Sequence, residues 1–218
     1  MTNVVSYSLW GDNPKYTVGA VKNALGTAQW YHGWECRIYY SDVPSDIINQ
    51  LKKFSHVNLI NMGDGKGDWS GMFWRFLAAD SDDVVISRDT DSRIGAREAG
   101  AVYKWLEEGD SFHIMRDHPY HGTPILGGMW GAQHGILKGI TQDIEAFQKE
   151  ERWQIDQDFL KTHVFPKVKN YACVHDPFYE HKEFPTRRKT GDFVGKAYNA
   201  DDTECVPGLA NMVGGSDR

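Results

Sequence analysis

Residues 84–93 read Val84-Val85-Ile86-Ser87-Arg88-Asp89-Thr90-Asp91-Ser92-Arg93, a β-branched apolar run followed closely by two aspartates. Consecutive β-branched residues favour a strand that is buried on both of its faces. In an extended chain residues i and i+2 point to the same side, so Asp89 and Asp91 are expected to face the same way. Two carboxylates at the carboxyl end of a central strand supply the oxygen ligands that divalent cations prefer. We therefore predict a cation site at the end of this strand.

The charges around the two aspartates support this prediction. Asp89 and Asp91 repel one another, so one of them should resist ionisation unless a cation lies between them. Arg88 and Arg93 flank the pair and fit a site that also binds an anion. The alternative is a solvated turn with a capping aspartate, because Asp-x-Asp is short enough to occur by chance. Other features of the chain are needed to choose between the two interpretations.

The bulk composition is that of an ordinary globular protein. The 218 residues favour one domain, and 40% of them are hydrophobic and 25% charged. The net charge of −6 argues against a nucleic-acid partner, which needs a basic surface. Three widely spaced cysteines without a C-x-x-C pair favour reduced thiols in the cytoplasm. We expect neither a signal peptide nor a membrane span, because no apolar run has the required length.

Predicted strands at residues 4–9, 35–40 and 57–62 alternate with segments of helical periodicity. Such alternation predicts parallel β-α-β units and an α/β fold, with a mostly parallel, Rossmann-like sheet flanked by helices. A helix expected after Ser70 would carry Arg75, either as a solvated charge or as a group that reaches a phosphate beside the cation. We expect a single domain over residues 1–199 and a polar tail over 200–218 that frays or links to a further module.

Polar residues follow four of the predicted strands. These stretches are Trp10-Gly11-Asp12, Asp89-Thr90-Asp91, Arg116-Asp117-His118 and His175-Asp176. Ligands of open α/β sheets bind outside the carboxyl ends of the strands. One edge of the sheet would gather these stretches although they are far apart in sequence, and this convergence is a stronger indication of a site than any one motif.

With these residues the sequence resembles the GT-A-type glycosyltransferases, which use nucleotide-sugar donors and a divalent metal. Asp89-Thr90-Asp91 is similar to the Asp-x-Asp of that family, and Gly127-Gly128-Met129 to its small-residue strand near the acceptor. Asp156-Gln157-Asp158 and a late His175 continue the likeness, which covers roughly residues 4–180. It looks closest to small glycosyltransferase domains of large DNA viruses, through residues 88–93 and 115–119, and for a viral protein the location would be the host cytoplasm. Asp-Gln-Asp is also similar to a motif of retaining galactosyl- and glucosyltransferases, but the chain lacks the lysine- and tryptophan-containing ending usual there.

The resemblance implies a donor site for a nucleoside-diphosphate sugar, with a UDP-sugar expected. Asp89 and Asp91 would hold Mn²⁺ or Mg²⁺, which neutralises the departing diphosphate as a Lewis acid. His175 would be a third ligand and would favour Mn²⁺, because imidazole is a softer donor, although a structural histidine is an equal alternative. The residues expected to bind the nucleotide are Ser8, Leu9, Trp10, Tyr40, Arg75 and Asp89.

The resemblance also implies a carboxylate near the reacting sugar, because the transition state resembles an oxocarbenium ion. The candidates are Asp117, Asp156 and Asp158. The last two open a helix, so one of them is expected to serve only as a cap. The glycan or other hydroxyl acceptor would meet Arg116, His118, His121, Gly128 and Trp130, with Trp130 offering its flat face to a sugar. Trp105 and Trp153 are expected to be packing residues.

Three other functions compete with a glycosyltransferase. A phosphatase of the Asp-x-Asp type carries its motif after the first strand, whereas here it follows the fourth. A sugar nucleotidyltransferase would need a Gly-rich basic loop after the first strand, and residues 9–15 match that poorly. A non-catalytic nucleotide-sugar or carbohydrate-binding module suits the 8 tryptophans but leaves the paired aspartates without a purpose.

Overall fold

The computed structural model describes residues 2–81, 84–147 and 152–213. Within these ranges the chain forms a seven-stranded sheet with helices on both faces. The strands are β1 (Asn3–Trp10), β2 (Glu35–Ser41), β3 (Val57–Asn61), β4 (Val84–Ser87), β5 (Phe112–Met115), β6 (Trp130–Ala132) and β7 (Ala172–His175). The helices are α1 (Pro14–Trp30), α2 (Ser45–Leu51), α3 (Ala96–Glu108), α4 (Ile140–Ala146), α5 (Ile155–Phe159) and α6 (Phe165–Val168). None of the helices in the described ranges has the length and apolar character needed to cross a membrane.

The strand order is β3-β2-β1-β4-β6-β5-β7, and all neighbouring pairs are parallel except the two that involve β6. This arrangement confirms the predicted mostly parallel α/β sheet. The antiparallel β6 follows a loop rather than a crossover helix, so it can run against both of its neighbours. The carboxyl ends of the six parallel strands therefore lie at one edge of the sheet.

The central strands β1 and β4 are buried on both faces, as the β-branched run predicted. Val4 and Val85 pack into one core cluster, together with residues of α4, α5 and α6. Val5 and Ile86 pack into the other cluster, together with residues of α1, α2 and α3. All four side chains are completely buried. Burial of such a side chain stabilises the fold by roughly 1.5–3 kcal/mol, so β1 and β4 are a firm support for the residues at their ends.

Helix α1 begins at Pro14, directly after the capping residue Asn13. The side chain of Asn13 accepts a hydrogen bond from the backbone N–H of Lys15 at 3.0 Å, and Pro14 occupies a first-turn position that suits its fixed φ. Gly19 lets the helix approach the chain after β4, since a Cβ there would lie 2.1 Å from the Thr90 carbonyl oxygen. α1 is therefore packed directly against the Asp-x-Asp turn.

The segment Trp69–Asp80 is a 3₁₀ helix, where the sequence predicted an α-helix capped by Ser70. The capping side chain is Asp68, which accepts a hydrogen bond from the Ser70 N–H at 2.7 Å. Two serines of β1 fix the middle of the segment. Ser6 Oγ donates to the Arg75 carbonyl at 2.7 Å, and the Arg75 N–H donates to Ser8 Oγ at 2.9 Å. The backbone of Arg75 is thereby fastened to the central strand.

The beginning of the C-terminal stretch is hydrogen-bonded to the rest of the chain. The Tyr198 N–H donates to the carbonyl of Asp91 at 2.8 Å. Asp202, in the predicted tail, accepts hydrogen bonds from Lys22 at 2.5 Å and Arg93 at 3.0 Å. Residues 214–218 of that tail lie outside the described ranges. The stretch beyond β7 therefore crosses back over the turn that carries the two aspartates.

Candidate functional site

A cavity of about 610 Å³ opens at the carboxyl ends of β1 and β4. Two of the four predicted strand ends line it, the one that begins at Trp10 and the one that contains the paired aspartates. The predicted site residues that line the cavity are Ser8, Leu9, Trp10, Arg75, Asp89, Asp91, His121 and Asp156. The structure therefore brings together residues that are up to 148 positions apart in sequence (Ser8 to Asp156).

Asp89 and Asp91 both line the cavity, and each is paired with a basic side chain. Arg75 Nη1 lies 2.6 Å from Asp89 Oδ1, and Lys15 Nζ lies 2.7 Å from Asp91 Oδ2. Burial, and then the negative charge of Asp89, raise the pKa of Asp91, while Lys15 opposes that increase. The Asp89 side chain is 41% exposed, so it is open to a ligand from the cavity.

The turn that presents the aspartates is held by side-chain hydrogen bonds and close packing. Asn23 Nδ2, on α1, donates to the carbonyls of Thr90 at 3.1 Å and Ser92 at 2.9 Å. On the other side, a Cβ at Gly128 would lie 2.1 Å from Asp89 Oδ2. Gly128 was predicted to meet the acceptor. In the structure its lack of a side chain leaves room for the Asp89 carboxylate.

Arg75 links Asp89 to a third carboxylate. Its Nη2 lies 2.8 Å from Asp156 Oδ2, while Nη1 holds Asp89. Asp156 is 1% exposed, and burial raises its pKa, whereas Arg75 lowers it. Gly127 leaves room for this pair, because a Cβ there would lie 2.3 Å from Arg75 Nη2. The planar guanidinium thus fixes the relative positions of two carboxylates that line one cavity.

His121 lines the same cavity as a neutral group. Its Nδ1 accepts a hydrogen bond from the Asp117 N–H at 3.0 Å, so in the neutral ring the proton lies on Nε2. Burial lowers the pKa of His121 to about 3, and the neighbouring His118 contributes to the decrease. His121 can therefore donate one hydrogen bond from Nε2 at neutral pH.

Asp117 is placed away from the cavity, which contradicts its expected catalytic position. Its carboxylate is completely buried and holds Arg97 through both oxygens, at 2.8 and 2.9 Å. Arg188 Nη2 at 2.6 Å and the Val194 N–H at 2.9 Å complete its contacts. β5 ends at Met115, so Asp117 falls in the following loop, where four donors hold its carboxylate as an internal anchor.

His175 does not lie beside the paired aspartates. It ends β7, which is three strand positions from β4, or about 14 Å across the sheet. Its Nδ1 lies 2.8 Å from His113 Nε2, on the face covered by α3. A cation held by Asp89 and Asp91 therefore has no third ligand in His175, and this expectation is corrected.

The other expected acceptor and catalytic residues also lie away from the cavity. Trp130 is completely buried and stacks on Phe112, with ring centroids 5.6 Å apart, so it has no face to offer a sugar. Arg116 pairs with Asp176 at 2.7 Å, and His118 contacts the Leu209 carbonyl at 3.1 Å. The expected catalytic residue Asp158 pairs with Arg152 at the surface, and Tyr40, which was expected to bind the nucleotide, lines a separate depression of about 300 Å³.

Several residues of the cavity were not expected from the sequence. Lys15 does not line the cavity itself but pairs with Asp91, which does; it was missed, and the only local signal for it was the Asn13-Pro14 helix start. Trp153, expected to be a packing residue, lines the cavity and is 66% exposed. Gly195 and Ala197 reach the cavity from the C-terminal stretch. These residues share no local pattern, because long-range packing alone brings them to the site.

No protein-family model matches this sequence, and no curated protein matches it either. Solved structures do match its fold. S. aureus TarS has 13% identity and a TM-score of 0.54, with 84% of this chain and 59% of that chain covered. The glycosyltransferase GlyE of Streptococcus pneumoniae TIGR4 has 17% identity and a TM-score of 0.51, with 83% and 46% covered. The 4-diphosphocytidyl-2C-methyl-D-erythritolsynthase of Anaerococcus prevotii DSM 20548 has 9% identity and a TM-score of 0.50, with 85% and 93% covered.

These similarities, together with the observed sheet, confirm the GT-A fold that the sequence resemblance implied. The chain spans less than two thirds of the length of the first two structures. At identities of 9–17% the likeness concerns the fold, and fold alone does not define a reaction. The expected link to viral domains gains no support from these structures. The chemistry has to be argued from the cavity itself.

Proposed function

We propose that this protein is a metal-dependent glycosyltransferase that moves a sugar from a nucleoside-diphosphate sugar, a UDP-sugar, to a hydroxyl group of a glycan or similar acceptor. The observation that carries the proposal is the fork of Arg75, which joins Asp89 at 2.6 Å and Asp156 at 2.8 Å inside one cavity. The paired aspartates supply a cation site, and Asp156 supplies a third carboxylate within reach of the same ligand. A solvated turn would need neither the cavity nor the fork.

Asp89 and Asp91 fit Mn²⁺ or Mg²⁺, because both are carboxylates that line the cavity and the charge of Asp89 helps to raise the pKa of Asp91, which reflects their proximity. The cation, when bound with the donor, supplies charge neutralisation and Lewis acidity at the diphosphate. Within the described residues, no group of three His, Cys, Asp or Glu ligand atoms gathers at this cavity. The remaining positions around the cation are therefore left to the diphosphate and water.

Lys15 and Arg75 are proposed to serve the diphosphate once the cation is present. In the structure Lys15 pairs with Asp91 and Arg75 pairs with Asp89, the two carboxylates that would bind the cation. Both side chains are suited to phosphate oxygens. A lysine binds them as a point charge, and an arginine binds them with two parallel N–H donors. Ser8, Leu9 and Trp10 line the cavity on the side of β1 and are proposed to hold the nucleoside.

Asp156 is proposed as the carboxylate that faces the reacting sugar. Its burial and raised pKa are properties of groups that exchange protons or stabilise developing positive charge. His121 would donate a hydrogen bond from Nε2 to a hydroxyl or phosphate oxygen, and the exposed ring of Trp153 offers the flat face first expected of Trp130.

The test is Mn²⁺-dependent binding of UDP, measured by calorimetry. Asp91→Asn should weaken binding by more than about tenfold, because one of the two cation ligands loses its charge. Asp158→Asn is the matched control, since Asp158 lies on the nearby α5 but pairs only with Arg152 at the surface. Unchanged UDP affinity in Asp91→Asn, with Mn²⁺ present, would contradict the proposed function.

A sugar nucleotidyltransferase is the competing enzyme, because the structure of an erythritol-derivative synthase with a TM-score of 0.50 shares this fold over 93% of its length. The products separate the two reactions. A glycosyltransferase releases UDP from a UDP-sugar, whereas a nucleotidyltransferase releases pyrophosphate from UTP and a sugar phosphate. Binding without release of either product would favour a non-catalytic nucleotide-sugar-binding module.

A further inference from the structure

A second group of ligand-type side chains lies on the other side of the sheet from Asp156. His113 on β5 and Cys173 and His175 on β7 form a cluster, called here the β5–β7 cluster. Their exposed fractions are 0%, 8% and 5%. β5 and β7 are parallel, with His113 opposite Cys173 and Met115 opposite His175. Alternate residues of a strand face the same side, so the pairing directs all three side chains toward α3.

The ligand atoms of the β5–β7 cluster point at one another. His113 Nε2 and His175 Nδ1 are 2.8 Å apart, and Cys173 Sγ lies 3.9 Å from the same His175 Nδ1. All three ligand atoms lie within 4.8 Å of one another. A tetrahedral zinc ion would separate two nitrogens by roughly 3.3 Å, and a nitrogen from a sulfur by about 3.6 Å. The two distances to His175 Nδ1 differ from these values by about half an ångström or less, which small rotations of the side chains would cover.

We propose that the β5–β7 cluster binds a zinc ion through His113 Nε2, His175 Nδ1 and Cys173 Sγ. Two imidazoles and a thiolate are ligands that zinc favours over the oxygen-seeking Mg²⁺ and Mn²⁺. Binding replaces the S–H bond of Cys173 with a Zn–S bond, and the proton leaves to solvent. The hydrogen bond between the two rings is lost, and each nitrogen directs its lone pair to the ion.

The surroundings of His113 favour an ion over a simple hydrogen bond between the rings. The ring is stacked on Trp105 at 5.2 Å, and its Nδ1 is buried without a hydrogen-bond partner among the described residues. Within the described part of the chain, the polar contact of this completely buried imidazole is therefore limited to the one through Nε2. A buried polar group with so little compensation is costly, whereas coordination would give the ring a strong interaction.

The fourth position of the ion is open on the side of Glu108, the last residue of α3. Cys173 Sγ lies 3.2 Å from Glu108 Oε2, and the Glu108 side chain is 43% exposed. The carboxylate thus marks the route from solvent to the thiol. Zinc bound by these three side chains would fasten β5 to β7, which is a structural role separate from the donor cavity.

Cobalt substitution tests the proposal on the full-length protein. After treatment with EDTA, titration with Co²⁺ should give one equivalent of binding with a thiolate-to-cobalt charge-transfer band and the visible bands of tetrahedral cobalt. Added Zn²⁺ should remove these bands and raise the thermal midpoint of the wild-type protein. Absence of the charge-transfer band in the folded wild-type protein would overturn the proposal without any variant.

Three variants locate the ion. Cys173→Ala should lose the charge-transfer band, while Cys36→Ala should keep it, because Cys36 is equally enclosed but lies in β2. Asp91→Asn should also keep the band, so that a failure of the donor site and a failure of the zinc site give different results. A band that persists in Cys173→Ala, or that disappears in Asp91→Asn, would show that the cobalt binds elsewhere.

Discussion

At the scale of single residues, the site depends on Arg75, a side chain that hydrogen-bonds to two carboxylates at once. Arg75 is 7% exposed and holds two carboxylates through different nitrogens. Gly127 and Gly128 make room for these contacts, since a Cβ at either position would meet them at 2.1–2.5 Å. The geometry of the site is therefore sensitive to substitutions that change a side chain by only a few atoms.

Arg75→Lys should lower the turnover of UDP-sugar hydrolysis by about 100-fold, because a lysine cannot bridge Asp89 and Asp156 with a fixed fork. The measurement is the rate of UDP release with Mn²⁺ present. Arg152→Lys is the control, since Arg152 also pairs with an aspartate but at the surface. Equal rates in the two variants would show that the fork does not position the reacting groups.

Gly128→Ala should weaken Mn²⁺-dependent UDP binding by about tenfold, which corresponds to about 1.4 kcal/mol. The added methyl group would lie 2.1 Å from Asp89 Oδ2 and must displace that carboxylate. Gly95→Ala provides the comparison, because a Cβ at Gly95 meets no atom within 4 Å. Calorimetry that finds wild-type affinity in Gly128→Ala would mean that Asp89 can move without loss of the cation site.

At the scale of elements, Asp117 connects the loop after β5 to α3 and to the C-terminal stretch. It holds Arg97 on α3 together with Arg188 and the Val194 N–H. Arg97 Nη1 also contacts the Thr186 carbonyl. Since Gly195 lines the cavity one residue after Val194, this buried ion pair sets the path of the stretch that forms this wall of the cavity.

Asp117→Asn should destabilise the protein by about 3 kcal/mol, because it leaves two buried arginines without their counter-charge. Urea unfolding at neutral pH measures the free energy of unfolding. The matched control is Asp143→Asn, whose carboxylate pairs with Lys167 at the surface and should change stability little. A stable Asp117→Asn protein with reduced turnover would instead restore the catalytic role first expected of this residue.

At the scale of the whole molecule, buried neutral histidines make stability depend on pH. Burial lowers the pKa of His175 to about 4 and the pKa of His113 well below its ordinary value. In the unfolded chain these groups titrate near 6.5, so the unfolded state binds more protons as the pH falls below that value. Their stabilising contribution is complete above pH 6.5 and is lost progressively toward pH 4.

Because the raised pKa values of Asp91 and Asp156 act in the opposite direction, the histidine effect is best isolated with a variant. His175→Gln should cost less stability at pH 5 than at pH 7.5, since glutamine does not titrate. Urea unfolding in EDTA at both pH values measures the difference and removes any effect of bound metal. A penalty that grows toward pH 5 would contradict the assigned protonation of His175.

Local patterns in the sequence determined the class of the fold and the placement of the two paired aspartates at one cavity. The β-branched run at 84–86 gave a strand buried on both faces, and the i, i+2 spacing put Asp89 and Asp91 on one cavity, because both properties depend on a few consecutive residues. The alternation of strands and helices predicted the parallel sheet for the same reason.

Only the tertiary structure decided which of the distant polar residues meet. Asp117 and Asp156 look alike in sequence, yet the register of β5 and the contacts of Arg97 and Arg188 bury the first, while Arg75 holds the second in the cavity. His175 was separated from Asp89 by the order of the strands, and Trp130 was enclosed by packing against Phe112. Such outcomes depend on pairings across 18 to 81 residues, and no local pattern encodes the distance between their side chains.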